Sequence, residues 1–317
     1  MTVLIAGSAN LDYVVRAHRV PAAGETVMGR DLATFPGGKG ANQAVAAARA
    51  GGAETLMLLA LGDDAAARVI EASLRGAGVA LNVLRMPDVA TGSAFVCLGD
   101  DAENAITVVP GANAALAPGH LPALVGISHL LLQLETPLAT VTAYAAQAHA
   151  VGVHVALNAA PAQALPDALL AVLDLLVVNE GELTAIVGAA GSVAEALARL
   201  TVPTVVVTLG ARGCLARSDG RHHLQAAFAI RAVDSTAAGD TFCGVLVAAL
   251  SQGHGLPMAL KRASAAAALA CTRLGAQTSV PSQAELAAFL DSHHAMPNDD
   301  VARYCGLAPE MISTIAA

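Results

Sequence analysis

Short runs of β-branched and aliphatic residues alternate with longer alanine-rich stretches along most of this chain. Val3–Ala6, Thr55–Leu61, His129–Gln133, Val153–Leu157, Leu175–Val178 and Thr204–Thr208 have the length and composition of buried strands. Between them, Ala41–Ala50, Ala65–Ala77, Leu138–Val151, Gly181–Val187 and Val193–Leu200 read as helices. This alternation predicts an α/β fold, a doubly wound and mostly parallel sheet with helices on both faces. Ligands of such sheets bind at the carboxyl ends of the strands.

Two segments break the rhythm. Residues 12–36 and 91–109 carry short alternating runs, such as Ala94–Leu98 and Ala105–Val109, with a hairpin signal at Gly99-Asp100-Asp101. They predict a small β-sheet projecting from the main body, placed to act as a lid and offering a surface on which two chains can pair. The main domain is expected to run over residues 1–290. Residues 291–317 do not continue the pattern and form an extension of unknown role. Within it, Asn298-Asp299-Asp300 predicts the cap of a short helix bearing Val301, Tyr304 and Cys305 on one face. Packing on the body, contact with a partner and disorder all stay open for this tail.

Composition narrows the class. Hydrophobic residues make up 55 % of the 317, yet much of that share is alanine, so the helices should pack closely. No apolar run reaches membrane-spanning length. The first seven residues lack a basic leader and read as a strand. A net charge of −8 argues against nucleic acid as a partner. The five cysteines are far apart without a CxxC spacing, which speaks against thiolate metal sites and a disulfide framework. Four of them fall in apolar stretches and are expected to be buried, and the chain reads as cytosolic.

The chemistry concentrates in three motifs. In Asp234-Ser235-Thr236-Ala237-Ala238-Gly239-Asp240-Thr241-Phe242, small residues lead into the apolar helix 242–250. Ala237, Ala238 and Gly239 then sit at a helix N-terminus, where unpaired N–H groups and the macrodipole favour an anion such as phosphate. Asp240 beside that anion suits a base that takes a proton from an attacking hydroxyl, or a simple helix cap. Phe35-Pro36-Gly37-Gly38-Lys39-Gly40-Ala41-Asn42-Gln43-Ala44 is a glycine-rich turn feeding a helix, either a ligand loop or a solvated turn. It lacks P-loop spacing, and Asn42 offers a neutral donor–acceptor pair suited to a hydroxylated ligand. After the first strand, Asn10 and Asp12 stand two apart, on one side of an extended chain or within an Asx-turn. No G-x-G-x-x-G fingerprint accompanies them, which sets an oxidoreductase aside.

The order and content of these signatures resemble the ribokinase family of the PfkB sugar-kinase superfamily over roughly residues 1–290. The resemblance implies an ATP-dependent sugar kinase with a β lid, homodimeric through the lids, phosphorylating the 5-hydroxyl of D-ribose. Sugar binding would fall to Asn10, Asp12, Gly38, Lys39, Asn42 and Glu135, with Asp240 as base and Ala237, Ala238 and Gly239 as the anion hole. Asn179 and Glu182 match the family's Asn-x-x-Glu motif near the triphosphate and its magnesium. From the residues alone, that tetrad is equally a helix N-cap. Thr208, Gly210, Gly213 and Gly239 would border the nucleotide, with Ser264 near the adenine. Asp234, Ser279 and the carbonyls of Thr236, Ala270, Arg273 and Gly275 match a potassium-binding loop, and a hard cation wants such oxygens.

Three departures stand out: Tyr13 where the family often has His, Ser264 where a larger polar residue is common, and Asn158-Ala159-Ala160-Pro161 without its usual first proline. A sister kinase acting on a nucleoside, deoxyribose or a ketose is the nearest rival reading. A non-catalytic sugar or nucleotide sensor is the rival from another class, and the retained Asp240 counts against it.

Overall fold

A computed structural model describes residues 1–100 and 103–307. In chain order the strands are β1 (Thr2–Ala6), β2 (Asn10–Ala17), β3 (Gly29–Gly37), β4 (Glu54–Gly62), β5 (Ala80–Met86), β6 (Gly92–Leu98), β7 (Asn104–Val109), β8 (Ile127–Leu132), β9 (His154–Asn158), β10 (Leu175–Asn179), β11 (Thr204–Thr208), β12 (Gly213–Ser218) and β13 (Arg221–Ala226). The α-helices are α1 (Lys39–Val45), α2 (Ala65–Gly76), α3 (Leu138–Ala150), α4 (Asp167–Leu170), α5 (Glu180–Val187), α6 (Val193–Ala198), α7 (Ala238–Ser251), α8 (Leu256–Ala270), α9 (Gln283–Ser292) and α10 (Asp299–Cys305).

Nine strands form the main sheet in the order β13-β12-β11-β10-β9-β8-β1-β4-β5. All neighbours are parallel except the β11-β12-β13 edge. Because strands alternate their side chains, β1 feeds two cores at once. Val3 and Ile5 join one apolar cluster with α1, α2, α7 and α8, whereas Leu4 and Ala6 join the other with α3 and the tail helix α10. Burial on both faces is what a parallel sheet under two helix layers requires. Among the described residues no helix is long and apolar enough to cross a membrane.

The alanine content has a visible purpose where α1 meets α7. A Cβ added at Gly244 would lie 2.4 Å from the Gln43 carbonyl and 2.7 Å from the Ala46 Cβ. The two helices therefore touch backbone to backbone, and α1 continues as a π-helical turn, Ala46–Ala50, which the expected Ala41–Ala50 helix did not foresee. The helix begins at Lys39, two residues earlier than the pattern suggested.

The second sheet, β3-β2-β6-β7, is the projecting unit expected from residues 12–36 and 91–109. The predicted turn Gly99-Asp100-Asp101 lies partly outside the described residues, but β6 and β7 pair antiparallel across it. Leu32, Phe95, Ile106, Val108 and Val109 are all exposed on this sheet. Three cysteines, Cys214, Cys243 and Cys305, are buried, and Cys97 and Cys271 are only half-buried, one fewer than expected.

The described part of the tail, residues 291–307, packs on the body. Asn298 does not cap α10 with its side chain; its Oδ1 accepts from the Ala226 amide (2.8 Å) and its Nδ2 donates to the Leu224 carbonyl (3.4 Å). Val301, Ala302 and Cys305 face the core, while Tyr304 points outward instead of sharing their face. Residues 308–317 of the expected extension lie outside the described residues.

Candidate active site

Five adjacent parallel strands deliver the site. β1 leads to Ser8 and Asn10, β8 to Glu135, β9 ends on Asn158, β10 on Asn179 and β11 on Thr208. All of these stand at carboxyl ends, where open α/β sheets bind ligands. Four strand spacings separate β1 from β11, roughly 19 Å. That distance leaves room for a triphosphate between a small ligand at one end and a nucleoside at the other.

Asn10 and Asp12 open β2 and share one of its faces, so the extended reading holds and the Asx-turn does not. Asn10 is buried, and its Oδ1 accepts from Asn113 Nδ2 at 2.8 Å. Gly38 must be glycine here: its φ is +88° and a Cβ would lie 2.8 Å from the Ala9 Cα. With the chain pressed that closely, the Lys39 amide donates to Glu135 Oε2 (3.0 Å), which also accepts from the Ser8 hydroxyl (2.6 Å).

Asp240 sits in the first turn of α7 and is buried. Asn42 Nδ2 donates to its Oδ2 at 3.0 Å and Gln43 Nε2 to its Oδ1 at 2.9 Å. Gln43 is itself held, donating to Asn158 Oδ1 (3.0 Å) and accepting from Gln133 Nε2 (2.7 Å). Burial pushes the Asp240 carboxyl above the ordinary range, opposed by Lys39 and the two amides. Burial also raises Asp12 to about 7, with Glu135 and Asp240 adding to the effect. Burial works against the Lys39 charge, but Asp240, Glu135 and Glu182 outweigh it and its pKa is raised. One lysine thus balances several carboxylates, of which Asp240 and Glu182 are buried. An added cation would be welcome there.

Ala237, Ala238 and Gly239 lie at the α7 N-terminus, but the expected row of unpaired amides is broken because the Ser235 carbonyl takes the Ala238 N–H. Ala237 is the helix N-cap with φ +57°, the left-handed region that a residue with a Cβ rarely adopts. Strain of this kind is retained where the surroundings enforce it. The Ala238 amide donates to the Ser235 carbonyl (3.2 Å), whereas Gly239 is exposed at the helix mouth.

Asn179 and Glu182 form a reciprocal capping box at the start of α5, with both hydrogen bonds at 2.8 Å. The N-cap reading of this tetrad is therefore realised. Glu182 is nevertheless buried, its pKa raised chiefly by that burial and further by Asp240, and its charge helps hold the Lys39 pKa up. Thr208, Gly210 and Gly213 surround the short 3₁₀ turn Gly210–Arg212 after β11. Ser264 lies buried on α8, with its hydroxyl 3.9 Å from the Cys214 sulfur.

Asp234 fastens two loops. Its Oδ1 accepts from the Thr236 amide (2.9 Å) and hydroxyl (2.6 Å), and its Oδ2 accepts from the Gly275 amide (2.9 Å). Ala270 and Arg273 lie in the same turn, where the Arg273 amide donates to the Ala270 carbonyl (3.1 Å). Ser279 is fully buried and its hydroxyl donates to the Ala276 carbonyl (2.8 Å). Among the described residues, no group of three or more His, Cys, Asp or Glu gathers as a metal site. A potassium loop built mainly of carbonyls would not form such a group.

A wide cavity of about 700 Å³ opens at the amino ends of the strands, beside Met1, Glu54, His129 and His154. It is remote in the fold from every motif above and carries none of their chemistry. Sequence reasoning passed over Gln43, Ser8, Asn113, Gln133 and Asn158 as site residues. Gln43 lay inside a motif already singled out, but only the fold shows which carboxylate it reaches.

Residues 2–283 match the pfkB family of carbohydrate kinases. The chain is 36 % identical over 302 residues to a ribokinase of Haemophilus influenzae, covering 92 % of this chain and 98 % of that protein. It is 31 % identical over 295 residues to a deoxyribokinase of Salmonella typhi, covering 89 % and 96 %. A solved Arabidopsis thaliana ribokinase complexed with ribose and ATP superimposes with a TM-score of 0.84 at 32 % identity, covering 91 % and 98 %.

Proposed function

The chain belongs to the PfkB family of carbohydrate kinases, and from that premise we propose that it transfers the γ-phosphoryl group of ATP to the 5-hydroxyl of D-ribose. The observation that carries this reading is the Asp240 carboxylate, clamped by Asn42 and Gln43 at the mouth of α7. A kinase of this kind needs a fixed proton acceptor beside an anion-binding helix end, and positioning supplies most of the rate.

Asp12, Asn10, Asn42 and Lys39 hold the sugar, with Glu135 setting the loop that carries Lys39. Asp240 takes the proton of the 5-hydroxyl as that oxygen attacks the γ-phosphorus and the bond to the β-phosphate oxygen breaks, releasing ADP. The Gly239 amide and the helix dipole offset charge on the transferring group. The nucleotide lies along Thr208–Gly213 and toward Ser264. Asn179 and Glu182 would hold magnesium, since both offer the side-chain oxygens a hard cation takes and the capping box engages only Oε2 of the Glu182 carboxylate. When bound, magnesium would neutralise phosphate charge. The carbonyl-rich loops pinned by Asp234 fit potassium.

Tyr13 and Phe95 stack on each other (5.3 Å between centroids). By the strand alternation they occupy the face opposite Asp12. The Tyr13 departure therefore leaves the sugar face unchanged, and this pair is not a clamp for a nucleobase. The exposed apolar residues of the lid support a homodimer paired through it. Five free cysteines fit a reducing cytosol.

The test is ADP release with ATP, magnesium and potassium over ribose, deoxyribose, fructose and adenosine. Turnover strongest with ribose is expected. Preference for another acceptor would move the assignment to a sister kinase, and no turnover with any would favour the sensor.

A further inference from the structure

Residues 294–307 lie beyond the stretch that matches the family, which ends at 283. They do not trail away. Phe228 and Ala295 form an isolated β-bridge, and the Met296 amide donates to the Ala227 carbonyl (2.9 Å). The Ala227 amide in turn donates to the Arg212 carbonyl (3.0 Å), so this part of the tail backs the turn after β11. Helix α10 is then anchored by Asn298 on the β13 backbone and by Val301 and Cys305 in the core.

This anchoring presents Tyr304 to two loops at once. Its hydroxyl donates to Glu180 Oε1 at 2.6 Å, in the tetrad after β10. The Arg212 guanidinium lies 4.0 Å from its ring centroid, in the turn after β11. Those loops carry Asn179 and Glu182 on one side and Thr208, Gly210 and Gly213 on the other. Glu180 and Arg212 have opposite charges, and a tyrosine offers each what it prefers: a hydroxyl donor for the carboxylate and a π face for the guanidinium.

We propose that Tyr304 is a positioning residue for the nucleotide, holding the Asn179–Glu182 and Thr208–Gly213 loops in their binding arrangement from the C-terminal extension. The proposal rests on the reading of those loops as the nucleotide end of the site. The turn at Gly210–Arg212 is exposed and contains a glycine at φ +57°, so left to itself it would pay an ordering cost each time a nucleotide bound. Fixing Arg212 from outside removes part of that cost in advance. The sugar end stands four strands away and gains nothing from the contact.

The experiment is ADP titration of the full chain by calorimetry, with KM for ATP and for ribose measured in parallel. Tyr304→Ala should weaken ADP binding and raise KM for ATP by about fivefold, with KM for ribose unchanged. Tyr304→Phe keeps the ring over Arg212 and should recover roughly half of that loss on a logarithmic scale. Adding Arg212→Ala to Tyr304→Ala should cost little more, because the two share one contact. Unaltered ADP affinity in Tyr304→Ala would overturn the proposal, as would an equal rise in both KM values, which marks general loosening. A wild-type chain that binds no ADP at all would overturn the nucleotide reading itself, and this proposal with it.

Discussion

Gln43 and Asp240 are joined by a hydrogen bond of 2.9 Å from Nε2 to Oδ1, across 197 residues of sequence. Asn42 takes the other carboxylate oxygen, so both lobes of the acid are oriented by neutral donors on one helix. Neutral donors aim a base without replacing it as an ion-pair partner, and they favour its charged form against the burial that opposes it.

Removing the base should therefore cost more than removing its support. Asp240→Asn is expected to lower kcat by about 10²-fold or more, with sugar affinity largely kept. Gln43→Leu should lower kcat by roughly tenfold and move the acid limb of kcat/KM to higher pH, since one donor to the charged form is gone. Near-normal turnover in Asp240→Asn would sink the assignment of the base.

Asp12 gives a pH signature in the ligand-free protein. Its carboxyl is raised from 3.8 to about 7, chiefly by burial. Between those values the folded chain holds a proton that the unfolded chain has released. The stability this contributes is complete below the unfolded pKa and is lost as pH rises through about 7. Asp12→Asn should accordingly melt a few degrees higher than wild type near pH 8, with a smaller gain near pH 5, while KM for the sugar rises at least tenfold. Melting curves at the two pH values decide it, and an equal shift at both would contradict the linkage.

Asp234 should couple cation and nucleotide. Asp234→Ala deletes its hydrogen bonds to Thr236 and Gly275, and a loss of about 1–2 kcal/mol in stability is expected. The same variant should lose its response to added potassium, read as initial rate against potassium chloride at constant ionic strength. A variant that keeps the wild-type response would remove this loop from the cation's path.

The lid predicts an oligomer. Phe95→Asp combined with Leu32→Asp places two charges on the exposed face opposite Asp12, and sedimentation should change from dimer to monomer. A wild-type chain that sediments as a monomer at micromolar concentration would dispose of the lid dimer.

The main sheet was legible because its strands are short apolar runs of uniform character, from Val3–Ala6 to Thr204–Thr208. β5 and the β12-β13 hairpin were not, since they lie at the two edges of the sheet, where burial is partial and Arg85, Arg217 and His222 interrupt the apolar pattern. In the site, Asn10, Asp12, Asn42 and Asp240 were readable: they stand in three separate motifs of the sequence, and the fold brings those motifs to one end of the sheet. The line Gln133–Gln43–Asn158 was not, because isolated amides carry no sequence pattern and meet only where two strands and a helix converge. Tyr304 misled for a related reason: helical spacing placed it with Val301 and Cys305, but Arg212 and Glu180 draw it outward.

Gly244 fixes one thing further. With no side chain between α1 and α7, the helix carrying Asp240 and the helix carrying its two amide donors are packed backbone to backbone at one fixed spacing. The strands β2, β3, β6 and β7 belong to a separate sheet outside this backbone contact. Substitutions there can reshape the surroundings of Asp12, while the geometry of Asp240 with Asn42 and Gln43 stays where the backbone put it.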